Sequence, residues 1–582
     1  MLEDVSDGQN VKDNLLLQQY PSSLSLMLYQ DAFEVVSPLG PGKTKHKILA
    51  VYMTLGEILS HNRSSVDAMQ LVSLCREADF KTFGHNKVFA SLTADLKDLE
   101  ETGFLAADGN MIKAVLIAFL GGNLGSHCIG GFTENFSCSK HFCRYCLVDR
   151  EGFIKNPLAL GPKRTADNYK DSIEILSTTD QSVVNGIKCN SVFNSLKDFH
   201  VCSGLPPCLG HDLYEGVVSS DLSLYIDTLV QVEKHFTYNE LNRAIAKFKH
   251  IGSDALSKPC EVKTGQRMAG SAAQNRCLLR LLPRYIGEKI KDPVDNGLLC
   301  LKLRDIVELV CAPQISHNDI VYLKIMIEEY IYLRHSMFPD KALKPKHHYL
   351  SHYPELILHF GPLIHLWTLR FESKHSYFKQ CSRKVHNFVN LCKTLAERRQ
   401  LLQSYLLAGQ TFPPTIQIIG EANDYRHHLY NSATQDAVTK ANVSNHNMLD
   451  VSAVVYKGTK YVKGHVVVVD HTDESTEFEK IVVILVNDSK LYFVLELHQS
   501  VRLIDLGLHC LHCPTDRMME IEDEITCILP ELERQKVLSS ADHLKDVIGV
   551  QQKSDLLLVE ADDRKHFLTP IQIRKLLLAF KK

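Results

Sequence analysis

The sequence predicts a mixed α/β fold, followed by a small β-rich module and a helical tail. Apolar residues alternate from Leu24 to Leu28, an apolar strand-like run spans Ile112 to Leu120, and residues 212–365 carry apolar side chains at spacings of three and four. The first two patterns are typical of strands and the third is typical of amphipathic helices. A chain of 582 residues is too long for one ordinary core, so we expect several domains or one domain with a large insertion.

Composition narrows the class of protein. Hydrophobic residues make up 45% of the chain and charged residues 23%, which is typical of soluble globular proteins, and no apolar run approaches the length of a membrane helix. The polar N-terminus carries no secretory signal. The 17 cysteines are odd in number and scattered, which favours reduced thiols inside the cell. Because the net charge is −3, nucleic-acid binding would need a local basic face.

The order of patterns along the chain predicts seven segments. After a short N-terminal tail come strands near residues 24–31 and 47–55, a mostly helical stretch and the strand 112–120. A polar, turn-rich excursion then precedes the helical region. The predicted boundaries are 1–20 for the tail, 21–150 for the first part of the core, 151–365 for an irregular and helical insertion, 366–410 for closing helices, 411–449 for a linker, 450–505 for the β-rich module and 506–582 for the helical tail.

Two acidic residues and a basic segment stand out as candidates for nucleic-acid chemistry. Asp31 follows an apolar strand and Glu372 lies in a predicted helix, although a turn former and a surface Glu are the simpler interpretations. From Arg370 to Arg399 there are eight cations against two acids, which is expected of helices that follow a phosphate backbone, unless they form a solvated face. The candidate DNA-contacting residues are Lys374, Lys379, Arg383, Lys384, Arg398 and Arg399.

Cysteine and histidine spacing predicts a structural zinc site. Cys143 and Cys146 form a CxxC pair, and Cys208 and His211 supply CxxH spacing, which together make a complete tetrahedral ligand set. Cys138, His141 and Cys202 are substitutes for these ligands. His347, His348 and His352 could also ligate a metal, but they follow Pro345 in a predicted loop, so we favour packing or phosphate contacts for them.

Several stretches in a fixed order resemble the catalytic region of CACTA-type (En/Spm-like) DNA transposases of animal genomes, over roughly residues 20–410. The resembling stretches are YQDAFEVVSPLGPGK, GGNLGSHCIGGFTENFSCSKHFCRYC, LPPCLGHDLYEGV, KPKHHYLSHYPELILHFGPLIHLWTLRFESKH and NFVNLCKTLAERRQLLQ. The resemblance implies an RNase H-like core interrupted by a mainly helical insertion. It also implies three acids that hold two divalent metals, such as Mg²⁺, for hydrolysis and strand transfer of DNA.

Carried over residue by residue, the resemblance assigns Asp31 as the first acid and Glu372 as the third. The second acid would fall in a pattern that reads Gly-Asp-Asn in similar proteins, and this chain has Gly122 there, followed by the neutral Asn123. A two-metal site needs its carboxylates to gather both ions, so the resemblance predicts a degenerate, inactive site. The family also places a CxxC pair after the second acid and often an Asp-x-x-His motif later, where this chain has Cys208.

Three functions remain open at this point. The first is an inactive transposase-derived protein that retains DNA binding. The second is an active metal-dependent nuclease in which Glu134 or Asp212 replaces the missing acid, and the third is a protein-interaction scaffold without nucleic acid. The resemblance implies a nuclear location and assembly of several copies on DNA. It also leads us to expect that the chain lacks the N-terminal domain with which a transposase recognises transposon ends.

Overall fold

The structure is a computed structural model, and it describes residues 1–36, 45–136, 138–265, 267–290, 295–385, 389–409, 412–441, 447–471, 476–487, 490–503 and 508–512. The chain divides into two compact units. The first comprises Met1–Thr228, Ile245–Arg280 and Leu299–Thr411. The second comprises Leu229–Ala244, Leu281–Leu298 and the chain from Phe412 onward.

A four-stranded open sheet lies at the centre of the first unit. Its strands are β1 (Leu24–Val36), β2 (Lys45–Leu55), β3 (Gln70–Arg76) and, after the short hairpin of β4 (Phe104–Leu105) and β5 (Met111–Ile112), β6 (Ala114–Leu120). The strand order is β3-β2-β1-β6. The first three strands pair antiparallel, whereas β6 runs parallel to β1. Strand β6 is buried along its whole length, as expected for a strand covered on both faces.

Helices cover this sheet and form most of the rest of the first unit, and the helical segments within Leu229–Ala244 and Leu281–Leu298 belong to the second unit. The helices are α1 (Gln9–Lys12), α2 (Leu15–Gln19), α3 (Ser60–Arg63), α4 (Glu77–Val88), α5 (Ala90–Glu101), α6 (Asn123–Ile129), α7 (Arg150–Lys155), α8 (Ala166–Thr178), α9 (Ser219–Asp227), α10 (Tyr238–Lys247), α11 (Ser253–Leu256), α12 (Ala272–Ile286), α13 (Asp295–Val310), α14 (His317–Met337), α15 (Pro345–Leu350), α16 (Tyr353–Phe360), α17 (Leu369–Val385) and α18 (Leu391–Leu407). Residues Gly210–Val218 and Thr228–Val232 form π-helical turns. Short 3₁₀ turns span Val5–Asp7, Val192–Ser195, Gly287–Lys289, Leu363–Leu366 and His427–Leu429.

Aromatic side chains fix helix α17 on the sheet. Phe371 stacks on Tyr29 of β1 with ring centroids 4.8 Å apart, and Phe378 stacks on Phe33 at 5.8 Å. Aromatic pairs of this kind stabilise a contact by about 0.5–1.5 kcal/mol beyond the burial of their surface. The next helix, α18, packs against β3. Helix α17 is therefore held in one place relative to β1.

The second unit contains a β-rich module that begins earlier than predicted. Its elements are β7 (Ile416–Ile418), β8 (Ala422–Asp424), α19 (Ser432–Lys440), β9 (Met448–Val451), β10 (Ala453–Tyr456), β11 (Thr459–Val462), β12 (Val466–His471), β13 (Thr476–Asn487), β14 (Lys490–Leu503) and β15 (Leu508–His512). Strand β7 pairs with β10, and β8 pairs with β9. The predicted linker 411–449 therefore supplies strands to the module. Short β-segments of this kind escape prediction because their pairing partners lie elsewhere in the chain.

Other segments also differ from the sequence prediction. The mostly helical stretch predicted before the strand 112–120 contains strand β3 before its two helices. The excursion predicted as irregular contains α7 and α8. A capping box starts α14, where the Ser316 side chain accepts a hydrogen bond from Asp319 N.

The predicted helical tail lies almost entirely outside the described residues, which end at His512. Within the described ranges, no helix combines the length and the apolar character needed to cross a bilayer.

Candidate metal centre and acid site

Four buried side chains of the first unit form a cluster that could hold a metal ion. Cys143 and Cys146 belong to the CxxC pair, and His348 and His352 lie on and just after helix α15. One ligand atom from each residue lies within 4.8 Å of all the others. The Cys143 Sγ and His352 Nε2 atoms are 3.5 Å apart, and the Cys146 Sγ and His348 Nε2 atoms are 3.3 Å apart.

The spacing and chemistry of this Cys₂His₂ cluster fit a tetrahedral ion. Metal–ligand bonds of zinc place a thiolate sulfur about 3.6 Å from an imidazole nitrogen and two such nitrogens about 3.3 Å apart. The His348 and His352 Nε2 atoms lie 3.1 Å apart, close to that value. The Nε2 atom of His348 faces the cluster, since it contacts both Cys146 Sγ and His352 Nε2.

Two of the four zinc ligands predicted from the sequence therefore lie in this cluster, and the other two do not. Cys143 and Cys146 lie in the cluster, whereas Cys208 and His211 form a separate pair with Sγ and Nδ1 3.1 Å apart. The physical reason is the position of Cys208, which lies just before the π-helical segment Gly210–Val218 and contacts Thr368 at the start of helix α17. There the Cys208 Sγ contacts Thr368 Oγ1 at 2.9 Å, which leaves the CxxC pair to the two histidines.

The structure brings the three positions of the predicted acid site to one place. A Cβ atom on Gly122 would lie 3.5 Å from the Cε1 and Nδ1 atoms of the His211 ring. Thr368 Oγ1 lies 3.3 Å from Glu372 Oε1 and also contacts Cys208, the partner of His211. Asp31 occupies β1 beside the end of β6, since the β1–β6 pairing stops at Tyr29. Strand β1 itself continues to Val36, so Asp31 is not at the strand end that the sequence predicted.

Asp31, Glu372 and His211 lie close enough for their charges to shift one another's pKa values. Burial raises the pKa of Glu372, the charge of Asp31 raises it further, and the nearby His211 opposes both effects. Burial also raises the pKa of Asp31. The contact with Cys208 raises the pKa of His211 to about 10, with a smaller contribution from Glu372. Two carboxyl groups and an imidazole therefore share this site.

A buried polar network ties the acid site to the metal cluster. Arg144, between the two cysteines, donates from Nη1 to Asn123 Oδ1 at 2.5 Å and from Nη2 to the Pro206 carbonyl at 3.3 Å. Asn123 in turn donates to Asp212, whose other oxygen accepts from Cys208 N at 3.3 Å. The Asn123 side chain is therefore engaged with both Arg144 and Asp212.

The two substitute acids that the sequence offered are already engaged. Asp212 is fully buried and bonded to Asn123, with Arg144 Nη2 at 4.0 Å. Glu134 forms an ion pair with Lys188. A carboxylate held in such contacts would have to break them to bind a metal, which costs free energy.

The predicted DNA-contacting residues fall into two groups. Lys379, Arg383, Lys384 and Arg398 are exposed, whereas Lys374 and Arg399 are buried. Lys374 Nζ donates to the carbonyls of Val66 and Met69, and Arg399 Nη2 donates to Gln403 Oε1 at 2.5 Å. Lys374 and Arg399 were therefore wrongly predicted to contact DNA. Their long side chains fix α17 and α18 to the loop before β3.

The two histidines of the metal cluster could have been predicted from the sequence. His348 and His352 have the H-x₃-H spacing of zinc ligands. We placed them in a loop because of Pro345, but Pro345 is the first residue of α15, a position that proline favours. Arg144 carried no signal, because nothing in a single sequence indicates that an arginine will be buried.

No known protein-family model matches the chain, and no curated protein matches it.

Proposed function

We propose that the protein derives from a CACTA-type DNA transposase, that its RNase H-like scaffold carries a catalytically inactive acid site, and that it retains DNA binding. The observation that carries this proposal is the meeting of Asp31, Gly122 and Glu372 around the His211 ring. These three positions come from a strand, a strand–helix turn and a helix far apart in the chain. Their proximity is what the family resemblance requires.

The topology of the first sheet supports the proposed scaffold. Three antiparallel strands followed by a parallel strand beside the first give the order β3-β2-β1-β6, which an RNase H-like core would have at this edge. Helix α17 lies against β1 and carries Glu372 to the end of the sheet where Asp31 and Gly122 lie. The long helical region between β6 and α17 corresponds to the insertion that the resemblance implies.

Loss of the second carboxylate is the reason for proposing an inactive site. Two divalent ions bring four positive charges, and carboxylates are the ligands that neutralise them while the attacking and leaving oxygens are held. Asp31 and Glu372 supply only two carboxylates. The active-nuclease alternative needs a third acid, and both Asp212 and Glu134 are held in other contacts.

We further propose that the Cys₂His₂ cluster binds a structural zinc ion. Two thiolates and two imidazoles suit zinc, and the cluster is closed to solvent, as structural sites are. The cluster joins a turn after α6 to helix α15, so a bound ion would hold the insertion against the core. When bound, the ion would supply folding free energy and no chemistry.

The exposed cations of α17 and α18 support DNA binding, and we expect such a protein to act in the nucleus. In the described part of the chain, the side chains of Lys379, Arg383 and Lys384 have no acidic partner. Three unpaired cations on one helix are available to phosphate groups. Affinity for DNA should therefore fall steeply as salt is raised.

A DNA-cleavage assay with Mg²⁺ or Mn²⁺ tests the inactive site. We expect no cleavage by the wild type and a gain of cleavage in Gly122→Asp. Position 122 has φ −63° and would meet its nearest atoms at ordinary contact distance, so the substitution is sterically permitted. Gly122→Asn is the matched control, because it adds the same volume without the charge. Cleavage by the wild type that is lost in Asp31→Ala would refute the proposal.

Zinc content measured on purified protein tests the ligand set. We expect one equivalent in the wild type and a large loss in His352→Ala and Cys143→Ser. Cys208→Ser serves as the control, since it removes a buried cysteine of the originally predicted set and should retain the metal. Loss of zinc in Cys208→Ser together with retention in His352→Ala would reverse the assignment.

A further inference from the structure

Helix α18 exposes an aromatic and an apolar side chain beside a cation. Tyr405 is 77% exposed and Leu401 is 72% exposed. Leu401 follows Arg398 by three residues and Tyr405 follows it by seven, so the three side chains lie on one face of the helix. Together they form a small exposed apolar and aromatic patch beside a cation.

Helix α17 carries a matching row of charges. Lys379 and Arg383 share a helix face with Glu372, because they follow it at spacings of seven and eleven residues. Arg383 lies about 16 Å further along the helix axis than Glu372. The row therefore begins at the acid site and continues away from it, with both cations exposed.

The two helices are neighbours, and the row and the aromatic face both lie on their solvent-exposed sides. The Arg399 guanidinium lies 5.8 Å from the centroid of the Tyr377 ring, which joins the middle of α18 to the middle of α17. Arg398, next to Arg399, also lies close enough to influence the Tyr377 hydroxyl. We call Lys379, Arg383, Arg398, Leu401 and Tyr405 the hairpin surface.

We propose that the hairpin surface binds nucleic acid containing unpaired nucleotides, with phosphates at the three cations and a base stacked on Tyr405. This inference rests on the proposed DNA binding and specifies its partner. Bases in an intact duplex are stacked on one another, so an exposed ring gains a contact only from a base that is already free. The charges favour a nucleic acid as the occupant, since three exposed cations without acidic partners among the described residues fit phosphate.

Fluorescence anisotropy with two labelled DNAs tests the proposal. One DNA is a blunt duplex, and the other is the same duplex with a single-stranded 3′ extension, both measured at the same salt concentration. We expect Tyr405→Ala to weaken binding of the extended DNA by about five- to a hundredfold. Binding of the blunt duplex should change less than about twofold, and Tyr405→Trp should restore the preference for the extension.

The control variant is Tyr332→Ala, which removes another exposed tyrosine, at 65% exposure on α14, and should alter neither affinity. Equal weakening of both DNAs by Tyr405→Ala, or no weakening of either, overturns the proposal. So does a change in molecular mass in solution with Tyr405→Ala, because it would identify the surface as a contact between copies. A Lys379→Ala/Arg383→Ala variant tests the proposed DNA binding separately from the preference for unpaired nucleotides. If it leaves binding of both DNAs unchanged, the proposed DNA binding itself is wrong.

Discussion

Replacing Arg144 by methionine probes the buried network between the metal cluster and the acid site. Arg144 is 1% exposed and Asp212 is 0% exposed, with Nη2 and Oδ2 4.0 Å apart. Methionine keeps most of the volume but removes the charge, so Asp212 becomes a buried carboxylate without a cation. Such a charge is much more costly than the absence of the whole pair.

The magnitude follows from the distance. Two unit charges 4.0 Å apart attract by about 4 kcal/mol at the effective dielectric constant of about 20 that suits protein sites. The variant also loses the hydrogen bond that Arg144 donates to Asn123. Water or a small shift of the Asn123 side chain replaces part of the free energy of that bond. We therefore expect the free energy of unfolding to fall by about 4 kcal/mol, a large fraction of the stability of a typical domain.

Urea denaturation followed by circular dichroism measures this loss. The second variant, Asp212→Asn in the Arg144→Met background, removes the uncompensated charge and should recover about half of the lost stability. Zinc content is measured in parallel to separate loss of the network from loss of the metal. An Arg144→Met protein within about 1 kcal/mol of the wild type, or a double variant no more stable than the single, would refute the role assigned to this pair.

Three further predictions concern the metal, the buried cations and pH. Removing zinc with a chelator should lower the thermal midpoint strongly and reversibly in the wild type and have little effect on His352→Ala, as scanning calorimetry would show. Lys374→Met and Arg399→Met should change stability and leave DNA affinity within about twofold when the proteins are folded, whereas Arg383→Ala should weaken DNA binding at unchanged stability. Burial lowers the pKa of Lys374 to about 7, so the unfolded chain binds one more proton between that value and its ordinary value. Stability should therefore rise by about 2 kcal/mol from pH 7 to pH 9 relative to Lys374→Met, as measured by urea denaturation at each pH; no difference between the two proteins would contradict the assignment.

Strands with a strong local pattern were predictable, and those defined by their partners were not. The alternation of Leu24, Leu26 and Leu28 and the apolar run to Leu120 gave β1 and β6 within a few residues. Strand β3 was missed because Leu71, Leu74 and Cys75 are spaced as on a helix, and only pairing with β2 makes them a strand. Such tertiary pairing has no local signal.

The candidate site was predictable only where residue type and spacing carry the chemistry. The CxxC pair was assigned to a metal, but its partners were chosen by counting ligands, and a proline at a helix start hid the correct histidines. Asp31, Gly122 and Glu372 came from the family resemblance, and the structure places them together. Charge counting identified the basic segment, yet it could not distinguish the exposed Arg383 from the buried Arg399, because burial depends on packing across the sheet.

The metal cluster joins two parts of the first unit that lie far apart in the chain. The cluster joins Cys146 to His348, which are 202 positions apart, so both ends of the intervening chain are fixed at one point. Doubling the length of a loop closed in this way costs only about 0.6 kcal/mol. Within this stretch, Tyr169, Phe193 and Leu205 pack in the core of the sheet, so segments can be gained, lost or replaced between these ligands only where they leave that packing intact.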